Sequence, residues 1–461
     1  MVKKTYKTIS QTALVPRVPR KLWFTTISVL ILMISAASFG VVFYAYANPG
    51  LTYSTIIEEG SMMETASYVI FKDGSTYYAK NGSTGAIDYL SSDATTVIES
   101  VLNASTSGGR IFIRRGTYEI DTTINVYNKY ITIIGEGPGS SGTRLQLSNN
   151  ADCNMFNLNS STFFYLYELS LDGNKNNNNA GIGVSASPVV GGLATADITI
   201  DRVFIHNFAE EGVYWTDCWG SVIKNSYIEA NLGNGSQIGG WNNHLISTTF
   251  NWNNGSGIRI GGDYHVSVVD CAICENGEHG IYVSGGSTTI ADNKILGNGV
   301  ITNDTYSGIY IYGGNTHSIT GNLIDGRTIK NPPRYNTSRH GIRVENCVNG
   351  TTITGNTIVR TLSPEIYTAV SDKTHIENNI GFITERGGTS EASNDDWIDF
   401  GVTFAGTPQC VVLTVQESDA RYIAQVKSKN TTHAQLYLYD ETAGSLESTD
   451  KTVSWYAEYK P

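Results

Sequence analysis

The sequence predicts an all-β chain built as a parallel β-helix, with an N-terminal transmembrane helix before it and a small antiparallel β-sandwich after it. A glycine-led strand unit recurs through the middle of the chain, an uncharged apolar run stands near its start, and strict alternation replaces the repeat after Asn379. The composition agrees with this reading. With 48 glycines, 10 prolines and 16 % charged residues, the chain has too little charge for disorder and too little proline for a linker protein. Its 461 residues suit two or three domains or one long solenoid.

Residues 1–21 form a basic tail carrying Lys3, Lys4, Lys7, Arg17, Arg20 and Lys21 with no acid. From Leu22 to Tyr44 there are 23 consecutive uncharged residues, and as a helix such a run spans roughly 35 Å, enough for a bilayer core. A signal anchor over residues 22–47 is therefore expected. The cations before it, and Glu58 and Glu59 after it, place the tail in the cytoplasm and the rest of the chain at the cell surface. A cleavable signal peptide is the alternative, because Ala45-Tyr46-Ala47 has the small-x-small form of a cleavage site. Its apolar region usually runs about 7–15 residues, which is shorter than this one. Residues 48–85 make a Tyr-rich preface, with Phe71-Lys72-Asp73-Gly74 a turn between strands.

The net charge is −11, and because the basic tail contributes six cations and no acid the part beyond it stands at −17, which excludes nucleic acid as a partner of the body. Asn-x-Ser/Thr triplets begin at Asn81, Asn103, Asn159, Asn234, Asn254, Asn303, Asn336, Asn349 and Asn430. They suit a glycosylated exterior, and an Asn- and Thr-rich β protein also produces them by composition alone. Of the six cysteines (Cys153, Cys218, Cys271, Cys274, Cys347 and Cys410), only Cys271-Ala-Ile-Cys274 is close in sequence. Without a second pair it makes no zinc site, so no metal is expected and buried free thiols are.

The repeat is the strongest signal. Gly212, Gly235, Gly257, Gly280, Gly308 and Gly341 each open a short alternating strand, as in Gly280-Ile281-Tyr282-Val283, at spacings of 23, 22, 23, 28 and 33. A second unit, Ile/Val-x-x-Asn, recurs at Ile223-Lys224-Asn225, Ile290-Ala291-Asp292-Asn293, Ile319-Thr320-Gly321-Asn322 and Ile353-Thr354-Gly355-Asn356. A coil of about 22 residues with two strand-like stretches is a solenoid, and the use of Ile, Val and Asn in place of repeated Leu selects a parallel β-helix over a leucine-rich repeat. Inward Asn side chains at the turns can then hydrogen-bond up and down the stack.

Ala86-Ile87-Asp88, the amphipathic stretch Thr95 to Leu102, Gly108-Gly109-Arg110-Ile111-Phe112-Ile113, Gly116-Thr117-Tyr118 and Ile131-Thr132-Ile133-Ile134-Gly135-Glu136-Gly137 stand in order ahead of the repeat. With Leu171-Asp172-Gly173-Asn174 they resemble the N-terminal cap and coils of the right-handed β-helices of the pectin-lyase-like superfamily, over roughly residues 86–380. Arg115 replaces the proline usual before Gly-Thr-Tyr. Residues 381–461 alternate instead, in Trp397 to Phe404, Cys410 to Val415, Tyr422 to Val426, Leu436 to Tyr439 and Val453 to Tyr456. Their Gly-Thr-Pro start, Val411-Val412-Leu413 strand and Trp455-Tyr456-Ala457-Glu458 end resemble C-terminal modules of viral tail fibres and tailspikes. That resemblance implies receptor binding or a homotrimer.

Alternation points the residue two after each repeat glycine outward, giving a column of Tyr214, Gln237, Arg259, Tyr282, Tyr310 and Arg343. The next column holds Thr216, Gly239, Gly261, Ser284, Tyr312 and Glu345. Aromatic faces suit sugar rings and arginine suits acidic sugars, so Tyr214, Arg259, Tyr282, Tyr310, Tyr312 and Arg343 are the expected polysaccharide contacts. The same residues can also serve only to stabilise the sheet by cross-strand stacking. For catalysis, Glu278, His279 and Arg259 form the cluster expected to come together, acting with Tyr282.

The superfamily's catalytic motifs are missing. Polygalacturonase-like members pair Asn-x-Asp, Asp-Asp, Gly-His-Gly and Arg-x-Lys, whereas His279-Gly280 and His340-Gly341 here follow Glu278 and Arg339. The Asp-Pro-His of epimerase-like members does not occur, and fold alone confers no activity. The expected function is therefore a membrane-anchored, adhesin- or spike-like β-helix that binds polysaccharide or a neighbouring surface. A diverged polysaccharide lyase or glycoside hydrolase and a purely structural surface component are the alternatives. No cofactor is expected, apart from calcium if the chain is a lyase.

Overall fold

The computed structural model describes residues 66–459 apart from the short stretches 128–129, 189–194, 263–264, 329–335, 348, 370–373, 383–384, 402–403, 405 and 417–421. Its organising feature is a stack of coils, each contributing one strand to each of three long sheets. The first sheet runs from the antiparallel hairpin strands Tyr68–Asp73 and Thr76–Asn81, with Ile87–Ser91 at its edge, through Gly109–Ile113 to Thr374–Glu377. The second runs from Gly116–Ile120 to Thr357–Val359, and the third from Ile124–Asn125 to Ile366–Thr368. Within the coils the neighbouring strands are parallel and in register, as in Ile258↔Ile281, Ile281↔Ile309 and Ile309↔Ile342, with one register shift between Trp215 and Cys218.

A coil therefore holds three strands where the sequence showed two strand-like stretches. The Ile-x-x-Asn unit splits at its Asn, so that Thr288–Ala291 belongs to the first sheet and Lys294–Leu296 to the second. At this corner the residue before the Asn takes a left-handed conformation, with φ of 57° at Asp292, 68° at Gly321 and 66° at Gly355. The Asn side chains form an unbroken ladder, in which Asn293, Asn322 and Asn356 each donate to the next at 2.9 Å, ending on Asn379. Ser226, Thr248 and Cys271 occupy the same corner in earlier coils; Cys271 offers its amide to Asn293 and its thiol to the Leu245 carbonyl at 3.5 Å. Thus Ser226, not Asn225, is the counterpart of the ladder residues in the first of the predicted units. A second ladder, Asn231, Asn253, Asn276 and Asn298, closes the following corner.

Inside, Ile290, Ile319 and Ile353 from the first sheet, Ile295, Ile324 and Ile358 from the second, and Ile281, Ile309 and Ile342 from the third are buried at 0–1 % exposure. Each contributes about 1.5–3 kcal/mol by leaving water. The repeat glycines are needed for close approach: a Cβ at Gly280 would stand 2.5 Å from the Gly308 carbonyl oxygen and 2.8 Å from the Ile295 side chain. Any side chain there would push neighbouring coils apart.

The apolar end of the first coil is covered by the helix Ala94–Ala104. Asp93 caps it by accepting from the amides of Thr95 and Thr96, and Val97, Ile98, Val101 and Leu102 are buried beneath it. This helix is the expected cap. The expected membrane helix is corrected: among the described residues no helix is long and apolar enough to cross a membrane, and their helix spans only 11 residues with one buried face. Residues 22–47, with the tail 1–21 and residues 48–65, lie outside the described residues.

After the last coil, Glu385–Ala392, Lys451–Glu458 and Cys410–Val415 pair antiparallel in one sheet, and Trp397–Asp399, His433–Asp440 and Tyr422–Lys429 in another. Phe400, Phe404, Leu436, Leu438, Val453 and Trp455 fill the core of this part. The strand Glu385–Ala392 has no apolar alternation and was missed in the sequence; backbone pairing with Lys451–Glu458 holds it. Phe382 is buried at the coil end, and Tyr459 packs against both cores. The cysteines are free, and Cys410 is exposed, unlike the buried state expected.

The ladder gives a stability test. Asn276 accepts from both the amide and the side chain of Asn253, so Asn276→Leu strands two buried donors and is expected to cost about 2–4 kcal/mol. Urea denaturation of the two proteins measures it, and an unchanged midpoint would deny the ladder its role.

Candidate functional site on the third sheet

The outward column lies in register as the alternation predicts: Tyr214, Gln237, Arg259, Tyr282, Tyr310 and Arg343 are successive partners, with Tyr367 continuing it. In the second column Gly239, Gly261, Ser284, Tyr312 and Glu345 are paired, while Thr216 sits in a bulge between Trp215 and Cys218. The two arginines of the column differ in state. Arg343 bonds Glu345 through Nε at 3.0 Å and Nη2 at 2.7 Å, and the Tyr310 hydroxyl donates to the other Glu345 oxygen at 2.7 Å. Burial would raise the Glu345 carboxyl, but the Tyr310 and Arg343 hydrogen bonds hold it below the usual range. That charge is internally compensated.

Arg259 is exposed and lies 4.9 Å over the Tyr282 ring, with no carboxylate pairing it among the described residues. The ring steadies the guanidinium while leaving its donors toward solvent. Beside it a groove of about 340 Å³ crosses the second column. The bulge turns Asp217 outward, where it accepts from the Trp219 indole at 3.1 Å. Trp219 and Trp241, exposed by 47 % and 42 %, stand 6.2 Å apart, and Trp241 walls the groove.

The floor of the groove is bare backbone at Gly239 and Gly261. A Cβ would meet its nearest neighbour at 3.4 Å in the first and 3.6 Å in the second, ordinary contact distances. Unlike the repeat glycines, these two are not demanded by coil packing. The sequence column contained both, but the bulge and Trp241 beside them were not visible in the repeat.

The expected catalytic cluster assembles only in part. His279 is buried, touches the rings of Tyr282, Tyr306 and Tyr310, and accepts the Ser307 amide on Nδ1 at 3.0 Å. Its proton is thereby confined to Nε2, so neither nitrogen offers a lone pair to a substrate. Burial pushes its pKa down to about 4. Glu278 accepts from Ser256 Oγ at 3.4 Å, and Tyr306 is hydrogen-bonded to it. His340 differs from His279: its Nδ1 donates to the Pro364 carbonyl at 2.7 Å while its ring stacks on Tyr367. Of the residues just before the six repeat glycines, Ser256, His279, Ser307 and His340 are buried in the corner, while Glu211 and Asn234 are half-buried. Among the described residues no group of three His, Cys, Asp or Glu could hold a metal ion.

Apart from Asn103, which lies in the helix Ala94–Ala104, the Asn-x-Ser/Thr positions stand outside helices. Asn81 and Asn430 cap turns with their side-chain oxygens, Asn159 and Asn234 hold amides of the next coil, and Asn349 bonds Asn315. Asn103, Asn254 and Asn303 are exposed, and Asn336 is half-buried.

Residues 189–330 match the family of the right-handed β-helix region. The stacked coils have the fold of a right-handed parallel β-helix. No curated protein matches its sequence. The A-module of mannuronan C-5 epimerase AlgE4 from Azotobacter vinelandii is similar at 18 % identity and a TM-score of 0.51, over 62 % of this chain and 91 % of the module. At that identity the likeness shows the fold alone. The tailspike Gp54 of the Acinetobacter baumannii bacteriophage AP22, in complex with capsular saccharide, is similar at 7 % identity, TM-score 0.42, over 80 % of this β-helix chain and 93 % of the tailspike. Pectate lyase Pel9A is similar at 17 % identity, TM-score 0.33, over 61 % and 72 %. The last two likenesses are too loose to carry an argument. The resemblance to pectin-lyase-like β-helices is thus borne out as a fold.

Buried neutral His279 has a consequence for stability. Unfolded, it titrates near about 6.5; folded, at about 4. Its contribution is present above the first value and lost as pH falls toward the second, because only the unfolded chain takes the proton between them. His206, His317 and His340, also lowered by burial, act in the same sense. His279→Gln keeps an acceptor for the Ser307 amide and should flatten the fall in Tm between about pH 6.5 and 4. Parallel melting curves for the two proteins would contradict it.

Proposed function

We propose that the outer face of the third sheet binds a polysaccharide carrying acidic groups, the chain running across the strands. The observation that carries this reading is the state of Arg259: exposed, steadied over Tyr282, and without a carboxylate partner among the described residues, paired with Gln237 of a groove walled by Trp241. A guanidinium takes a sugar carboxylate through two parallel hydrogen bonds, and an indole face takes the apolar face of a sugar ring. Coils about 4.8 Å apart place Tyr214, Tyr282 and Tyr310 along one line, with Tyr312 in the column beside it, so several sugar units are spanned. The bare floor at Gly239 and Gly261 lets a ring approach the backbone, and Gln237 and Asp217 offer partners to its hydroxyls. Glu278 and His279 are not assigned a catalytic step, because His279 has no free lone pair.

Binding of the full chain to a polyuronate, with a neutral glucan as control, tests the reading. Arg259→Ala should weaken polyuronate binding by about 1–3 kcal/mol and leave the melting temperature unchanged. Equal binding of both polymers, or full affinity in Arg259→Ala, would return the column to a purely structural role. The groove is tested separately: Gly261→Val adds a side chain that the strand accommodates but the floor does not. The fold should persist while polysaccharide affinity drops about tenfold, or about 1.4 kcal/mol. Undiminished affinity in a folded Gly261→Val protein would remove the groove from the site.

A further inference from the structure

A second recess, of about 200 Å³, opens on the outer face of the second sheet. Arg144 and Gln146 reach it from the strand Thr143–Leu147, Asp172 from Ser170–Asp172, and Lys175 and Asn176 from the turn that follows. Asp172 faces outward in the pleat yet its side chain is only 2 % exposed. Its two oxygens are occupied by the Arg144 guanidinium and by the Asn174 amide at 2.9 Å. His206 lies 3.9 Å away, but its Nδ1 lone pair takes the Asn207 side-chain amide at 2.7 Å. Burial lowers its pKa, so the ring is neutral and makes no ion pair with Asp172. Arg144 and Asp172 therefore cancel.

Lys175 is left over. Its ammonium donates to the Ala230 carbonyl, and among the described residues no carboxylate stands within ion-pair distance. Burial lowers its pKa, and the nearby Asp172 carboxylate, already held by Arg144, offsets this only in part. Glu229, the next residue along the column from His206, does not line the recess, and burial raises its own carboxyl. The recess thus holds one positive charge in excess. The side-chain amides of Gln146 and Asn176, which make no hydrogen bond to the described residues, stand at its wall.

We infer that this recess binds a small hydroxylated carboxylate, with the Lys175 ammonium as counter-charge and the Gln146 and Asn176 amides for its hydroxyls. One excess charge matches a monoanion and leaves a phosphate dianion half compensated. A volume of about 200 Å³ admits one sugar-sized acid, not a polymer chain. The site is independent of the groove on the third sheet, which is built from other strands.

Calorimetric and melting titrations of the full chain with sodium D-glucuronate, D-glucose and inorganic phosphate test it. Glucuronate should bind and raise the melting temperature, and glucose should do neither. Measured in an Arg259→Ala background, which silences the site on the third sheet, Lys175→Gln should weaken glucuronate at least tenfold, whereas Lys175→Arg keeps the charge and should bind as that parent does. In the unaltered chain, binding should weaken with added salt, which tests the charge without a substitution. The inference is overturned if glucose binds equally, if folded Lys175→Gln retains the full affinity of the Arg259→Ala parent, if that parent shows no response to glucuronate, or if phosphate binds more tightly than glucuronate.

Discussion

Every coil of this protein is held at hydrogen-bonding distance from the next by parallel, in-register pairing, and this spacing of about 4.8 Å dictates what each position can be. Identical side chains must lie directly above one another, so the interior accepts columns of isoleucine and the corners accept columns of asparagine. A polar group buried at a corner would cost more than it returns if it stood alone. In the ladders it never does, because each Asn uses its oxygen for the coil before and its nitrogen for the coil after or a backbone carbonyl. The repeat glycines follow from the same spacing, since a Cβ at any of several of them would collide with the next coil's backbone.

A solenoid built this way leaves two open ends, and both are closed by elements that do not obey the repeat. At the start, the capped helix Ala94–Ala104 covers apolar side chains and the antiparallel strands Thr76–Asn81 and Ile87–Ser91 extend the first sheet. At the far end, Phe382 and Tyr459 cover the last coil, and the two antiparallel sheets that follow have a core of their own. Exposed strand edges invite pairing with other chains, so closing the ends is a condition for a discrete molecule.

The outer faces are free of the packing rule, and there chemistry varies from coil to coil. Electrostatic state then depends on whether a charge finds a partner within its own coil or the next. Arg343 finds Glu345 two residues along; Arg144 finds Asp172 one coil later. Arg259 and Lys175 find no carboxylate among the described residues. A partnered surface ion pair is worth little and does nothing for a ligand, whereas an unpartnered cation set in a recess retains its full capacity for an anion.

From the sequence alone the coil period, the identity of the inward columns, the outward column from Tyr214 to Arg343 and the capping helix were legible, because each is a local periodicity imposed by strand alternation and coil spacing. An apolar run near the start also read as a membrane helix, on length and charge alone; the described residues contain no helix of that kind. The third strand of each coil was hidden because one left-handed residue, which leaves no periodic mark, separates it from its neighbour. Only the tertiary structure decided the site. His279 and His340 occupy one column and follow the same spacing, yet one accepts an amide on Nδ1 and the other donates to a carbonyl. Arg259 and Arg343 are equivalent in the repeat and opposite in availability. Hydrogen-bond partners arrive from residues tens of positions away, through insertions and bulges that shift a side chain by a few ångströms, and a one-dimensional pattern carries no record of that distance.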